Sequence, residues 1–231
     1  MNTDKTIMEK LNSKFRSNLM QCLKEEVEHL AGVERKARLL AVLGQVLTES
    51  SPPNLHQKEL VTIFDEVFSD VTISIYLAAC GLDKPAQIIL RRVLELGIAV
   101  IYLWDLPHMF WGWKCHGLDL NFKEMIDHLS KEHYKTFLKS ISNGYKGEDL
   151  CDFKCAKELY GLLSDTAHGK ISTFESNLPD RFAHNQADWL NHLRSLEQVE
   201  DILLDLWQKR FPMALLEAKS KLPVIPKAKG V

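Results

Sequence analysis

The chain has 231 residues, 45% of them hydrophobic, and a formal net charge of −2. That is enough apolar material for one large domain or two small ones. It is too little positive charge for a protein that wraps nucleic acid over its whole surface, so any RNA contact has to use a local patch. Five cysteines (Cys22, Cys80, Cys115, Cys151 and Cys155) are odd in number and scattered, and the chain starts with the polar MNTDKTIMEK. This pattern points to reduced thiols in a cytoplasm, not to a disulfide framework behind a secretory signal.

With only 11 Gly and 8 Pro, the sequence leaves room for long helices. Asp4 to Leu30 has apolar residues at helical spacing, Gly32 punctuates it, and Glu34 to Glu49 continues as a second helix. SSPPN at 50–54 breaks the pattern. Residues 1–50 therefore read as an N-terminal helical hairpin or arm, packed on the same body or on a partner chain. A third helix is predicted for His56 to Cys80, with GLDKP at 81–85 as a turn and Pro85 suited to the first turn of the next helix.

That next segment, Ala86 to Trp104, is almost wholly apolar and ends near Asp105-Leu106-Pro107. The aromatic MFWGWKCHG at 109–117 reads as a packed corner. Asn121 to Ser142 gives one or two helices, 143–149 a loop, and Leu150 to Ala167 a helix. Residues 169–184 are mixed and polar, Asp188 to Arg210 is a long helix, Pro212 starts a short helical piece, and the tail is weakly basic. No repeat and no sheet-building alternation occurs. The expected fold is all-α, a multi-helix bundle of seven to nine helices, with the main body over 55–212 and a short helix and loose tail over 213–231.

The apolar segment, AQIILRRVLELGIAVIYLW, is the most informative. A helix hydrophobic on nearly every side belongs in the centre of a fold. Its 19 residues match a membrane span in length, but Arg91, Arg92 and Glu95 sit in its middle, and each would cost roughly 2.5–3.5 kcal/mol on insertion scales. A buried bundle helix is the better reading, with no membrane contact. Arg91 and Glu95 are four apart and Arg92 and Glu95 three apart, so either pair can touch, and Arg92, Glu95, Ala99 and Tyr102 share a stripe. Such charge either tethers neighbouring helices or lines a polar cleft in which an arginine holds an anion such as RNA phosphate.

The phrase LYGLLSDTAHGKI at 159–171 is the second unusual stretch. Ser164 and His168 are four apart on one face at a helix end, Gly169 supplies the stop, and Lys170 follows. A histidine there can cap the helix, or serve as acid, base or phosphate donor near neutral pH. Ser164 is a poor nucleophile on its own, since a helical serine bonds back to a carbonyl. It and Lys170 and Tyr102 are better read as substrate-binding groups.

In order, these features resemble the HEPN superfamily of prokaryotic helical proteins over roughly residues 60–210. The resemblance rests on an LxRxxxE-like centre, Leu90-Arg91-Arg92-Val93-Leu94-Glu95, and an LSxxxH-like helix end, Leu163-Ser164-Asp165-Thr166-Ala167-His168. It implies a dimeric or partner-bound protein of phage-defence or toxin–antitoxin systems, several of whose relatives are metal-independent RNases. The arginine of the family's usual phrase is absent, with Leu162, Leu163, Ser164 and Asp165 before His168. The resemblance then implies an accessory or interaction subunit, with RNA as a potential ligand. The alternative is an endoribonuclease in which His168 is acid or base, Arg91 or Arg92 stabilises the phosphorane, and Glu95 orients one of them. A small-molecule-binding bundle is the remoter reading.

Cys115, His116, Cys151 and Cys155 could supply four zinc ligands, but the paired CxxC knuckles are missing. His128 and His133 are five apart and do not share a helical face. No phosphate-cradling glycine phrase occurs. Neither a metal nor a cofactor is expected. Trp104, Phe110, Trp111 and Trp113 could stack bases, but beside an apolar helix they read first as core.

Overall fold

The apolar stretch is the axis of the molecule. In the computed structural model, which describes residues 6–50, 54–142, 144–170 and 182–222, it forms α5 (Asp83–Asp105), buried at every position from Gly97 through Trp104. Around it lie α1 (Ile7–Cys22), α2 (Val27–Glu49), α3 (Leu55–Leu60), α4 (Thr62–Ala79) and α6 (Pro107–His116). The bundle continues with α7 (Phe122–Leu129), α8 (Glu132–Ile141), α9 (Phe153–Ala167), α10 (Gln186–Arg210) and α11 (Pro212–Lys221). The described residues hold these eleven helical segments and no strand, so the protein is an all-α multi-helix bundle. None of these helices is long and apolar enough to cross a membrane.

Local sequence sets most of the helix starts. Thr6 and Glu9 form a reciprocal capping box on α1. Asn121, Asp152 and Asn185 accept backbone N–H bonds at the starts of α7, α9 and α10. Pro107 and Pro212 occupy the first turns of α6 and α11.

The count exceeds seven to nine because the helix expected over His56 to Cys80 is split, Asn121 to Ser142 forms two helices, and the aromatic corner is helical. The N-terminal break falls at residues 23–26, where Glu26 takes a left-handed φ of 49°, and not at Gly32. Gly32 continues α2: an exposed glycine costs a helix only about 1 kcal/mol, less than the buried face of α2 returns. At Val61 the chain tightens into an i→i+3 bond from the Phe64 N–H, offsetting α3 from α4. MFWGWKCHG forms α6, of which Phe110 is buried, Trp113 half-buried and Trp111 exposed. The prolines at 52 and 53, the segment 171–181 and the tail from 223 lie outside the described residues.

The helices close on α5 where side chains are small or paired. At Gly97 an added Cβ would lie 2.5 Å from Leu203, and the Gly97 carbonyl accepts the Trp207 indole N–H at 2.9 Å. The far end of α5 is fixed by Asp105, which accepts two bonds from Arg210 (2.6 and 2.9 Å) and one from the Tyr134 hydroxyl (2.7 Å).

Residues 1–50 divide. Helix α2 belongs to the common core, burying Leu30, Val33, Leu40, Leu43 and Leu47 against α4, α10 and α11. Helix α1 buries only Asn18 and Cys22 and leaves Ile7 and Met8 more than 70% exposed.

Candidate functional site

Arg91 and Arg92 are neighbours in sequence, but successive helical residues point about 100° apart, and the two meet different helices. Arg92 turns to α4, donating to Asp70 Oδ1 and to Glu66 Oε1, both at 2.6 Å. Asp70 is buried and Arg92 nearly half exposed. Burial pushes the Asp70 carboxyl above its ordinary value, and Arg92 pulls it part of the way back. This is the tethering arrangement, with the cation consumed by two carboxylates.

Arg91 turns to α9. Its Nη2 donates to the Tyr160 hydroxyl at 2.6 Å, and its guanidinium carbon lies 4.8 Å from the Tyr160 ring centroid. The hydroxyl in turn donates to Glu95 Oε1 at 3.4 Å. Phe122 of α7 stacks flat on the same ring, with centroids 3.8 Å apart, and holds it in place. Burial raises the Glu95 carboxyl, opposed by Arg91 and by the Tyr160 bond. Glu95 is therefore the partner of the Arg91 side, not of Arg92.

Two polar atoms on this seam are buried and have no hydrogen-bond partner among the described residues, Arg91 Nε and Ser164 Oγ. Ser164 is one helical turn beyond Tyr160. The seam thus holds a fixed cation, a carboxyl group that burial pushes above its ordinary value and a hydroxyl, on rigid helical supports.

His168 does not join them. It caps α9, its backbone N–H bonded to the Ser164 carbonyl at 2.9 Å and its side chain exposed. Helix α9 runs antiparallel to α5, since Tyr160 meets Arg91 while Thr166 donates to Gln87 at 2.5 Å. Eight residues of rise put His168 about 12 Å along the helix from Tyr160. Lys170, also exposed, pairs with Asp165 at 2.5 Å. Tyr102 is buried edge-on against His128, with centroids 5.4 Å apart, and lies about 16 Å along α5 from Arg91.

Arg91 and Glu95 are thus brought together on Tyr160, Ser164 lies one turn further along α9, Arg92 is sent to the opposite neighbour, His168 and Lys170 stand beyond the seam's end, and Tyr102 is elsewhere. Tyr160, Phe122, Asp70 and Glu66 were not anticipated. Tyr160 had a signal, the same four-residue step before Ser164 that Ser164 makes before His168. Cys115 and His116 are exposed on α6 while Cys151 is buried, and no group of three or more His, Cys, Asp or Glu residues among those described is placed to hold a metal ion.

The class this defines is an all-α bundle with a polar seam beside its central helix. Compared with known proteins, the chain matches no family model, no curated protein and no solved structure.

Proposed function

We propose that the protein is a HEPN-like accessory or interaction subunit of a prokaryotic conflict system, in which the α5–α9 seam binds and does not cleave. The observation that carries this reading is the separation of the cation from the imidazole. Cleavage of RNA through its own 2′-hydroxyl needs an acid or base within hydrogen-bond reach of the phosphate that the arginine stabilises. Arg92 is closed off by Asp70 and Glu66, Arg91 is seated on Tyr160, and His168 stands at the far end of α9. What the seam retains suits recognition: a cation and a hydroxyl, positioned before any ligand arrives. The ligand chemistry that fits is an oxyanion, from an RNA phosphate or from a carboxylate of a protein partner or a second copy.

The test incubates the purified chain with total RNA in chelator, beside His168→Ala and Arg91→Ala, and measures fluorescence anisotropy of a labelled single-stranded RNA. The expected result is intact RNA in all three samples, with any RNA affinity lowered by Arg91→Ala and unchanged by His168→Ala. Cleavage by the wild type that disappears in both folded variants would overturn the reading in favour of the nuclease.

A further inference from the structure

At the end of the bundle where α1 meets the start of α10, three side chains lie in series. Cys22 Sγ is 3.5 Å from His184 Nδ1, and His184 Nε2 is 2.9 Å from Glu25 Oε2. A nucleophile, a base and an acid that orients the base are the parts of a covalent-catalysis relay. Here they come from the last residue of α1, the elbow before α2 and the segment leading into α10.

That segment is firmly seated. Asn18 Nδ2 donates to the carbonyls of Cys80 (3.1 Å) and Phe182 (2.9 Å), and Phe15 meets the Phe182 ring edge-on at 5.6 Å. Gly81 has a φ of +81°, and a Cβ there would press on Asn18 Nδ2 at 2.9 Å. The relay opens on a cleft of about 220 Å³, counting the part open to solvent, whose wall includes Cys22, His184, Asp83, Asn185, Asp188 and Trp189. Trp189 is 2% exposed, and its indole N–H has no partner among the described residues.

We propose that Cys22 is a thiol acyl acceptor served by His184 as base, with Glu25 as a positioning residue, for small uncharged acyl esters or thioesters. Its enclosed part is only about 10 Å³, room for about one water, so the acyl group is restricted to the shortest, acetyl, with the leaving group on the open side. Asp188 on the wall disfavours an anionic acyl group. In the step, the sulfur lone pair attacks the acyl carbon while the thiol proton passes to His184 Nδ1, and the carbonyl π electrons move onto oxygen. The Trp189 N–H, on the same wall and without a partner among the described residues, is the donor assigned to that oxyanion. Collapse re-forms the carbonyl and breaks the bond to the leaving group, which takes the proton from Nδ1. The products are a Cys22 thioester and a free alcohol or thiol.

The base is required because Cys22 is not a standing thiolate. It ends a helix instead of starting one, and Cys80, Asp83 and Glu25 face it from α4, α5 and the elbow, with Asp188 of α10 on the same wall. Burial first, and those neighbours after it, push the thiol up to about 12. Cys151 is an internal control: it is equally buried, also pushed up to about 12, and has no histidine hydrogen-bonded to it among the described residues.

The full chain is treated with p-nitrophenyl acetate, and acetylation at each cysteine is followed by peptide mass mapping from about pH 5 to 9, across the range in which histidines titrate. Cys22 is expected to react at least about tenfold faster than Cys151, along a pH profile that levels off once its base is deprotonated, while Cys151 keeps rising. His184→Gln should slow Cys22 by about tenfold or more and leave Cys151 unchanged. Glu25→Gln should slow Cys22 less and move its pH midpoint. A Cys22 rate no greater than that of Cys151, or one still climbing at pH 9 in the wild type, would overturn the proposal without any variant. So would faster labelling of Cys22 in His184→Gln, the sign expected if the histidine merely ties α1 to α10.

Discussion

The two faces of α5 treat adjacent arginines in opposite ways. On the α4 face Arg92 has more carboxylate than it needs, with Asp70 buried beneath it and Glu66 exposed beside it. On the α9 face Arg91 has an aromatic hydroxyl, a carboxyl that burial pushes above its ordinary value and a buried Nε with no partner. The first arrangement closes a helix pair, whereas the second leaves hydrogen-bonding capacity unused inside a rigid seam. A third carboxyl extends the series: Glu200, on α10, is fully buried with neither oxygen hydrogen-bonded among the described residues. Asp70, Glu95 and Glu200 thus run from paired through partly paired to unpaired.

The sharpest way to break this comparison is to remove the cation of the closed face. Arg92→Met leaves Asp70 buried without its counter-charge, a change worth about 3–5 kcal/mol for a fully buried pair. The guanidinium is nearly half exposed, which screens it, so the expected loss is about 2–3 kcal/mol, read from the urea midpoint at neutral pH. Adding Asp70→Asn should recover part of it, and equal losses in the single and double variants would remove the distinction between the faces.

Glu200 tests the unpaired end. Burial raises its carboxyl from 4.5 to about 9, so in the folded protein it keeps its proton across neutral pH. The native state then binds more protons than the unfolded state between those values. Its contribution to stability is fully present below 4.5 and is lost as pH rises through the window to about 9, by at most about 1.4 kcal/mol per pH unit. Glu200→Met should flatten this pH dependence and raise stability near neutrality by about 1–2 kcal/mol. Denaturation curves over that range check both.

The smallest effects belong to the open face. Arg91→Met and Tyr160→Phe should each cost about 1 kcal/mol. Because they share one hydrogen bond, the double variant should cost less than the sum. Strict additivity would mean that the pair does not act as a unit.

Much of the fold was legible from pattern. A helix apolar on nearly all sides has only the centre to occupy, and α5 occupies it. Helical spacing also related Arg91 to Glu95 and Ser164 to His168. It could not choose between Arg91 and Arg92, because both are equally close to Glu95 along the helix and the choice depends on which neighbour lies on which side. The N-terminal elbow was misplaced for a related reason: Gly32 is the better breaker in isolation, and only the packing of α2 shows that the helix runs through it.

The sequence by itself determined the class of the protein, since periodic burial of apolar surface is a local and repeated signal. Tertiary structure decided which polar groups meet. Asp70 with Arg92, Tyr160 with Arg91, and Cys22 with His184 across 162 residues each depend on how distant elements pack against one another, and that is set by the whole core.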